Sequence, residues 1–348
     1  MTHPRNVDRR RFISGGAMAL AAAQMAVLAE ASPAVAKASS ATVPAIRPGS
    51  HTSFGSFRQI DAGVLNIGYA EAGPADGPAV ILLHGWPYDV HSYVDVAPAL
   101  AAAGYRVIVP YSRGYGTTRF LSHGAIRNAQ QTAVARDVVA LMDALKIRSA
   151  IVGGYDWGAR TAAIVATLWP ERCKALVPVS GYLITNLEAN THPLPPAAEW
   201  GWWYQYYFAT ERGRLGYAQN RREFARLIWK NSSPNWNFDE STFERSAAAF
   251  DNEDHVAIVI HNYRWRLSLA NGEAEYDDLE ARLSKAPTIG VPTLTIGSDF
   301  DGPAASGAGY RSKFTGPYAH RVFPGVGHNV PQEAPQAFAQ AVIDADGL

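Results

Sequence analysis

The chain has 348 residues, 31 Lys+Arg against 31 Asp+Glu, and hydrophobic residues make up 47% of it. That is globular composition with enough apolar material for a full core, which excludes a fibrous repeat, long disorder and a polybasic nucleic-acid binder. The single cysteine, Cys173, forms no internal disulfide and excludes a multi-cysteine zinc site.

Residues 1–38 read as an export signal. Arg9, Arg10, Arg11 and Phe12 precede an Ala-rich, mildly apolar stretch from Ile13 to Ala29, and Ala36-Lys37-Ala38 supplies small residues for cleavage. This is the layout of a twin-arginine signal, and the stretch is short for a membrane span. Its removal takes away five basic and two acidic residues, leaving 26 against 29, or −3. The expected product is a periplasmic or secreted protein with no stable membrane anchor and no nucleic-acid partner. The twin-arginine route exports folded chains, which suits a protein without disulfides. Residues 39–53 read as a polar linker.

From Phe57 onward, short apolar runs alternate with helical patterns. Ala79–His84, Tyr105–Pro110, Ala150–Gly153 and Ala175–Val179 read as buried strands. Between them, Ser92–Ala103, Gln130–Leu145 and Gly158–Leu168 carry the helical apolar period. The alternation predicts a doubly wound, mostly parallel sheet covered on both faces. It stops near Leu183. Residues 184–286 are rich in Trp and Tyr, with helical stretches at Trp200–Phe208, Arg212–Trp229 and Asp254–Leu269. Strands resume at Pro292–Ile296 and His320–Phe323, and a helix near Gln332–Ala345 closes the chain. The predicted division is a core of 54–183 and 287–348 with a helical cap at 184–286.

Three turns carry the chemistry. Gly154-Tyr155-Asp156-Trp157-Gly158 joins a strand to a helix in the pattern of a nucleophile elbow, with aspartate at its centre. A serine attacking a saturated carbon would end in an inert ether. A carboxylate makes an ester that water can cleave. Asp156 therefore suits substitution at an sp³ carbon, as in an epoxide or an alkyl halide. The second turn, His84-Gly85-Trp86-Pro87, offers backbone N–H groups to a developing oxyanion, and the Trp86 and Trp157 amides are the candidates. The third, Gly325-Val326-Gly327-His328, presents a histidine as general base. Either Asp299 or Asp301, after the Pro292–Ile296 strand, could orient it.

These residues, with Tyr93, Ala102-Ala103-Gly104-Tyr105-Arg106-Val107 and Arg113-Gly114-Tyr115-Gly116, resemble the epoxide hydrolase branch of the α/β-hydrolase superfamily, which is related to haloalkane and haloacid dehalogenases. The resemblance spans Phe54 to the C-terminus apart from the middle of the cap. It implies a small-molecule substrate, no cofactor and no metal, and an α/β-hydrolase fold with the order nucleophile, acid, base. By its usual distance from the strand's proline it favours Asp301 as the acid. It also implies two cap tyrosines donating to the epoxide oxygen: Tyr204, with Tyr206 or Tyr207 as replacements, and Tyr263. Trp86, Trp157, Trp203 and Tyr207 are expected to line the pocket, and the aromatic cap suggests an apolar or aromatic ligand. Three departures stand out: Tyr155 where many relatives have His, Tyr111 where an Asp is usual, and Arg160 four residues after the nucleophile, where the fluoroacetate dehalogenase branch keeps a carboxylate-binding arginine; Trp157 and Trp86, where dehalogenase branches favour Arg and Asn, count against dehalogenation. The alternative the resemblance leaves is a dehalogenase using the same Asp, His and Asp. A non-catalytic binding protein on this scaffold is a further rival.

Overall fold

The structure is a computed structural model and describes residues 42–348, so the signal reading at 1–38 lies outside the described residues. Nine strands form one sheet: β1 (Phe57–Ala62), β2 (Leu65–Ala72), β3 (Ala79–Leu83), β4 (Arg106–Pro110), β5 (Arg119–Phe120), β6 (Ala150–Gly154), β7 (Cys173–Pro178), β8 (Thr293–Ser298) and β9 (Tyr318–Phe323). Their order is β1-β2-β4-β3-β6-β7-β8-β9, with β5 paired to β2. β1, β2 and β5 pair antiparallel, and every pairing from β4 through β9 is parallel.

Each central strand is apolar on both sides, and its alternate residues feed two separate cores. On β3, Val80 and Leu82 join one cluster, and Ile81 and Leu83 the other. The first core includes residues of helices α1 (Val96–Ala102) and α11 (Pro335–Asp346), the latter preceded by the short α10 (Val330–Glu333). The second takes α2 (Gln131–Ala144) and α3 (Trp157–Leu168).

Between β7 and β8 the chain makes α4 (Pro196–Gly201), α5 (Trp203–Ala209), α6 (Glu211–Ser232), α7 (Glu240–Ala247), α8 (His255–Arg266) and α9 (Asp277–Leu283), with no strand. Phe208, Tyr217, Trp229, Phe243, Phe250 and Tyr263 of this region are buried in the same cluster as Val80 and Leu82. The cap is thus an extension of one core rather than a separate body.

Residues 42–51, within the stretch read as a linker, are tied to the core. Val43 is buried and its N–H donates to Gln340 Oε1 at 2.8 Å. The N–H groups of Gly49 and His51 donate to the Asp95 carboxylate at 2.6 and 2.8 Å. An apolar anchor with a buried carboxylate receiving backbone donors makes this an arm docked on the surface. Among the described residues, no helix is long and apolar enough to cross a membrane.

Candidate active site

The elbow forms because two close approaches require glycine. A Cβ at Gly158 would lie 1.9 Å from the Leu83 carbonyl oxygen, so only glycine lets the first turn of α3 press against β3. A Cβ at Gly85 would lie 2.2 Å from Asp156 Oδ1. The missing side chains bring the two turns together, with Asp156 between them at φ 54° and ψ −126°. A positive φ at a non-glycine residue costs about 1–3 kcal/mol and persists only where the surroundings impose it. Here they aim the carboxylate off the sheet end rather than along the helix, and it makes no helix-capping hydrogen bond.

The Trp86 N–H donates to Asp156 Oδ1 at 2.8 Å. His328 Nε2 lies 3.3 Å from Oδ2. Burial pushes the Asp156 carboxyl up, but hydrogen bonding and charge from His328, the Trp157 N–H and the Arg160 guanidinium outweigh it and hold the group below the usual carboxylate range. Asp156 is therefore ionised at neutral pH. One of its oxygens already rests where amides would hold an oxyanion, and the other faces the histidine.

His328 sits on a loop fixed from two sides. Glu333 of α10 accepts from the N–H groups of Gly327 and Asn329 at 2.7 and 3.0 Å and from Ser233 Oγ at 2.7 Å. Ser233, just beyond α6 in the cap, accepts in turn from the His328 N–H at 2.9 Å. The Phe300 ring packs on the imidazole with centroids 4.1 Å apart.

The two candidate acids separate clearly. Asp299 is exposed and accepts from the Gly325 N–H at 3.0 Å, so it ties the base's loop to β8. Asp301 is buried, accepts from the Ser298 N–H at 2.9 Å, and interacts electrostatically with His328. Burial raises the Asp301 carboxyl above its ordinary value, against hydrogen bonds from Ser180 and Ser298 and the His328 charge. His328 Nδ1 is buried without a hydrogen-bond partner, and Asp301 does not fill that position in this conformation.

Tyr204 and Tyr263 meet above Asp156. Their ring centroids are 5.3 Å apart, Trp86 lies 5.1 Å from Tyr204 and 5.2 Å from Tyr263, and Trp157 lies 5.8 Å from Tyr263. Burial and then nearby groups, Asp156 among them, raise both phenols well above their ordinary values, so both keep their protons. The other cap candidates sit in different surroundings. Tyr206 is exposed and bonds to Glu199. Tyr207 stacks on Phe224 at 6.1 Å and Trp203 packs on the same ring at 5.3 Å. Neither Trp203 nor Tyr207 has a ring contact with Trp86, Trp157 or Tyr263, but Trp203 meets Tyr204 edge-on at 6.2 Å, so the two pack α5 onto α6 with Trp203 backing the first phenol. Helical spacing puts these two residues on the face of α5 turned to α6, and Tyr204 on the face turned to α8.

The departures in the motifs have local explanations. Tyr155 replaces a histidine but its hydroxyl pairs with Ser92 Oγ at 2.6 Å, so no buried polar group is orphaned. Sequence reasoning missed Tyr217 and His255. The Trp86 indole N–H donates to Tyr217 Oη at 2.8 Å, Tyr217 bonds to His255 Nε2 at 2.8 Å, and His255 Nδ1 bonds to the Gly114 carbonyl at 2.9 Å. Because that carbonyl only accepts, the direction of the whole chain is set. Burial first, with nearby cations, lowers His255 to about 3, so it stays neutral. These residues are 38 and 131 positions from their partners, and no local pattern marks them.

The sequence model described as alpha/beta hydrolase fold matches residues 78–335. The chain belongs to this family. Among curated relatives, this hydrolase is 36% identical over 150 residues to Epoxide hydrolase B of Mycobacterium tuberculosis, a match covering 39% of this chain and 41% of that one. It is 33% identical over 125 residues to a Haloalkane dehalogenase of Mycobacterium marinum, covering 35% and 40%. The match thus spans about two fifths of the length of these relatives. A crystal structure of a candidate epoxide hydrolase from Klebsiella pneumoniae is similar over 85% of this hydrolase and 98% of that chain, with 60% identity and a TM-score of 0.83. A Pseudomonas aeruginosa structure at 21% identity and TM-score 0.68 shares the fold.

Proposed function

We propose that this hydrolase opens an apolar or aromatic epoxide to a vicinal diol. One observation carries the reading: an ionised carboxylate at the elbow, one oxygen held by an amide, facing two protonated phenols. Asp156 Oδ2 attacks an epoxide carbon, the ring C–O bond breaks, and the departing oxygen takes a proton from Tyr204 or Tyr263. The result is an ester of Asp156 with its carbonyl oxygen, Oδ1, beside the Trp86 and Trp157 N–H groups. His328 takes a proton from water, and the hydroxide adds to the ester carbonyl carbon. The amides stabilise the oxyanion, a preorganised effect worth about 3–4 kcal/mol per donor where measured. Collapse expels the second diol oxygen, which takes the proton from His328. The Asp156 acid so formed returns a proton to the tyrosinate, closing the balance of epoxide plus water to diol. Asp301 supports the charged His328. The relatives named as epoxide hydrolases support the same chemistry.

A second reading has its own observation. The buried Trp157 indole N–H makes no well-formed hydrogen bond and lies against the Tyr263 phenol, a donor that could turn to a departing halide. Incubation with matched epoxides and alkyl halides, reading diol and free halide in parallel, separates the two. Diol without halide is expected. Halide without diol would transfer the site to dehalogenation. Freshly purified Asp156→Asn protein should lose about 10⁴-fold or more in turnover, as removal of a covalent nucleophile does; full activity would sink both readings.

Export through the twin-arginine route, from the Arg9, Arg10, Arg11 and Phe12 string, is proposed with it. Support comes from the signal's layout and the absence of a possible internal disulfide. Cell fractionation checks it: the chain should appear outside the cytoplasm and stay inside when Arg9 and Arg10 are both changed to Lys.

A further inference from the structure

A buried cation stands beside the two phenols without a counter-ion. Arg266 ends α8 one turn after Tyr263, a spacing that puts both on one helix face. It is nine-tenths buried, at 8% exposure. Its guanidinium makes no ion pair and donates to no acceptor among the described residues, and its Nε is buried and unpartnered. Ring faces hold it instead: the guanidinium carbon lies 5.7 Å from the centre of the Trp202 ring and 5.8 Å from that of Tyr263. Half-buried Trp202 lies in turn 5.9 Å from Tyr204, so the cation, the indole and both phenols form one cluster.

Stability does not explain such a residue. A buried charge is costly unless paired, and an apolar side chain of similar size would fill the space at less cost. The last turn of a helix favours a cation, which offsets only part of this. An ion pair would cancel the charge, whereas ring faces hold a guanidinium and leave its field acting on the neighbours.

The movement of charge in epoxide opening shows which neighbours need that field. Before attack the negative charge is on Asp156, already supported by the Trp86 amide, His328 and Arg160. When the bond from Asp156 to carbon forms and the ring C–O bond breaks, the charge passes to the departing oxygen. Proton transfer from Tyr204 or Tyr263 then moves it to a phenolic oxygen, where it stays until the Asp156 acid returns a proton. Burial opposes a tyrosinate at either position and the Asp156 charge adds to that opposition, while Arg266 favours it at both. Ester formation removes the Asp156 charge and leaves the Arg266 charge in place. Both phenols therefore become better proton donors at the moment the epoxide oxygen needs a proton.

We propose that Arg266 is a positioning residue of the ring-opening step, a role that rests on the epoxide reading: its unneutralised guanidinium, seated on the Trp202 and Tyr263 rings, stabilises the negative charge that moves from Asp156 to the epoxide oxygen and the tyrosines.

Styrene oxide is the substrate for the test because it is neutral and gives a guanidinium no anion to hold. In single turnovers by the full chain, Arg266→Met should slow ester formation about 10–100-fold, the effect of a unit charge roughly 6 Å away at an effective dielectric constant of about 20. The loss should lie in the limiting rate and not in substrate affinity, ester hydrolysis should keep its wild-type rate, and Arg266→Lys should recover part of the loss. The Tm of Arg266→Met should hold or rise, because an unpaired buried charge is gone. In a Tyr263→Phe background the same substitution should cost less than in wild type, since part of what it acts through is missing. A wild-type rate of ester formation in Arg266→Met, a change confined to affinity, or the same fold-loss in both backgrounds overturns the proposal. So does a fall in Tm with equal slowing of both half-reactions, the mark of a packing role. Absence of diol from the wild-type protein would overturn the epoxide reading and this role together, whereas diol from wild type and Arg266→Met at equal rates would remove the role alone.

Discussion

The elbow and the cap build their halves of the site by opposite means. At the elbow, Asp156 is placed by its immediate neighbours in sequence and by two glycines whose missing Cβ atoms let β3, α3 and the Trp86 turn close on it. In the cap, Tyr204, Tyr263 and Arg266 hold their places through rings and charges contributed by helices and turns far away in the chain: Trp86 and Trp157 from the core, Tyr217 from α6. A backbone-imposed nucleophile keeps its geometry in any pocket, and an aromatic wall built from side chains can be re-lined. In the proposed reaction the nucleophile and base therefore belong to the core, and the donors to the leaving oxygen to the cap.

The largest test of that division is the pair Tyr204→Phe and Tyr263→Phe. Each should cost about 10–100-fold in kcat and the double variant roughly 10²–10³, because one buried donor to a developing oxyanion is worth a few kcal/mol. Single-turnover measurement should place the loss in ester formation, with hydrolysis of a preformed ester unchanged. A loss confined to hydrolysis would move the phenols out of the role assigned to them.

Gly158→Ala strikes the core instead. The new methyl would meet the Leu83 carbonyl, so α3 must shift, at a cost of about 3 kcal/mol from overpacking. Thermal unfolding should show the drop, and the elbow should lose activity with the fold still formed. An unchanged Tm would mean the close approach is not obligatory.

Ser233→Ala probes the seam where the cap grips the base. It leaves the His328 N–H with the Ser232 carbonyl at 3.1 Å as its remaining acceptor and part of Glu333 unpaired, about 1–3 kcal/mol. Ester hydrolysis should slow while ester formation is spared, a division that stopped-flow kinetics would reveal. Equal slowing of both steps would say that Ser233 supports the fold rather than the base.

Acid should separate the two half-reactions with the smallest perturbation. Asp156 is held below its ordinary value and stays ionised as pH falls, whereas Asp301 is raised and loses its charge first. The charge supporting His328 thus disappears while the nucleophile still works. On acidification from neutral pH the Asp156 ester should accumulate, detectable as added mass on the intact protein in rapid-quench samples. Loss of ester formation before ester hydrolysis would contradict both directions.

How much was legible in the sequence follows the same line. The strands and flanking helices of the core were readable because period and punctuation are local: β3, β4, β6, β7, β8 and β9 lie within a few residues of the apolar runs that predicted them. The elbow, the Trp86 turn and the His328 turn were readable because glycine marks a tight turn wherever it falls. The hairpin of β1 and β2 was not, since β1 is exposed along most of its length and β2 is buried or half-buried throughout, so neither shows the alternation that marks a strand. In the cap, Tyr204, Tyr206 and Tyr207 are equivalent by composition and differ by what each ring meets: Trp86 and Tyr263, Glu199, and Phe224.

By itself, then, the sequence determined a doubly wound sheet with a helical insert and a carboxylate nucleophile poised to make a cleavable ester. These depend on backbone turns and apolar period, which short segments encode. Tertiary structure alone decided that Asp299 ties the base's loop to β8, that Tyr217 and His255 brace Trp86, and that Ser233 and Glu333 hold the His328 turn. Each of those outcomes depends on which distant side chains share a buried space, where an unpaired polar group or charge is costly, and no spacing along a chain records that.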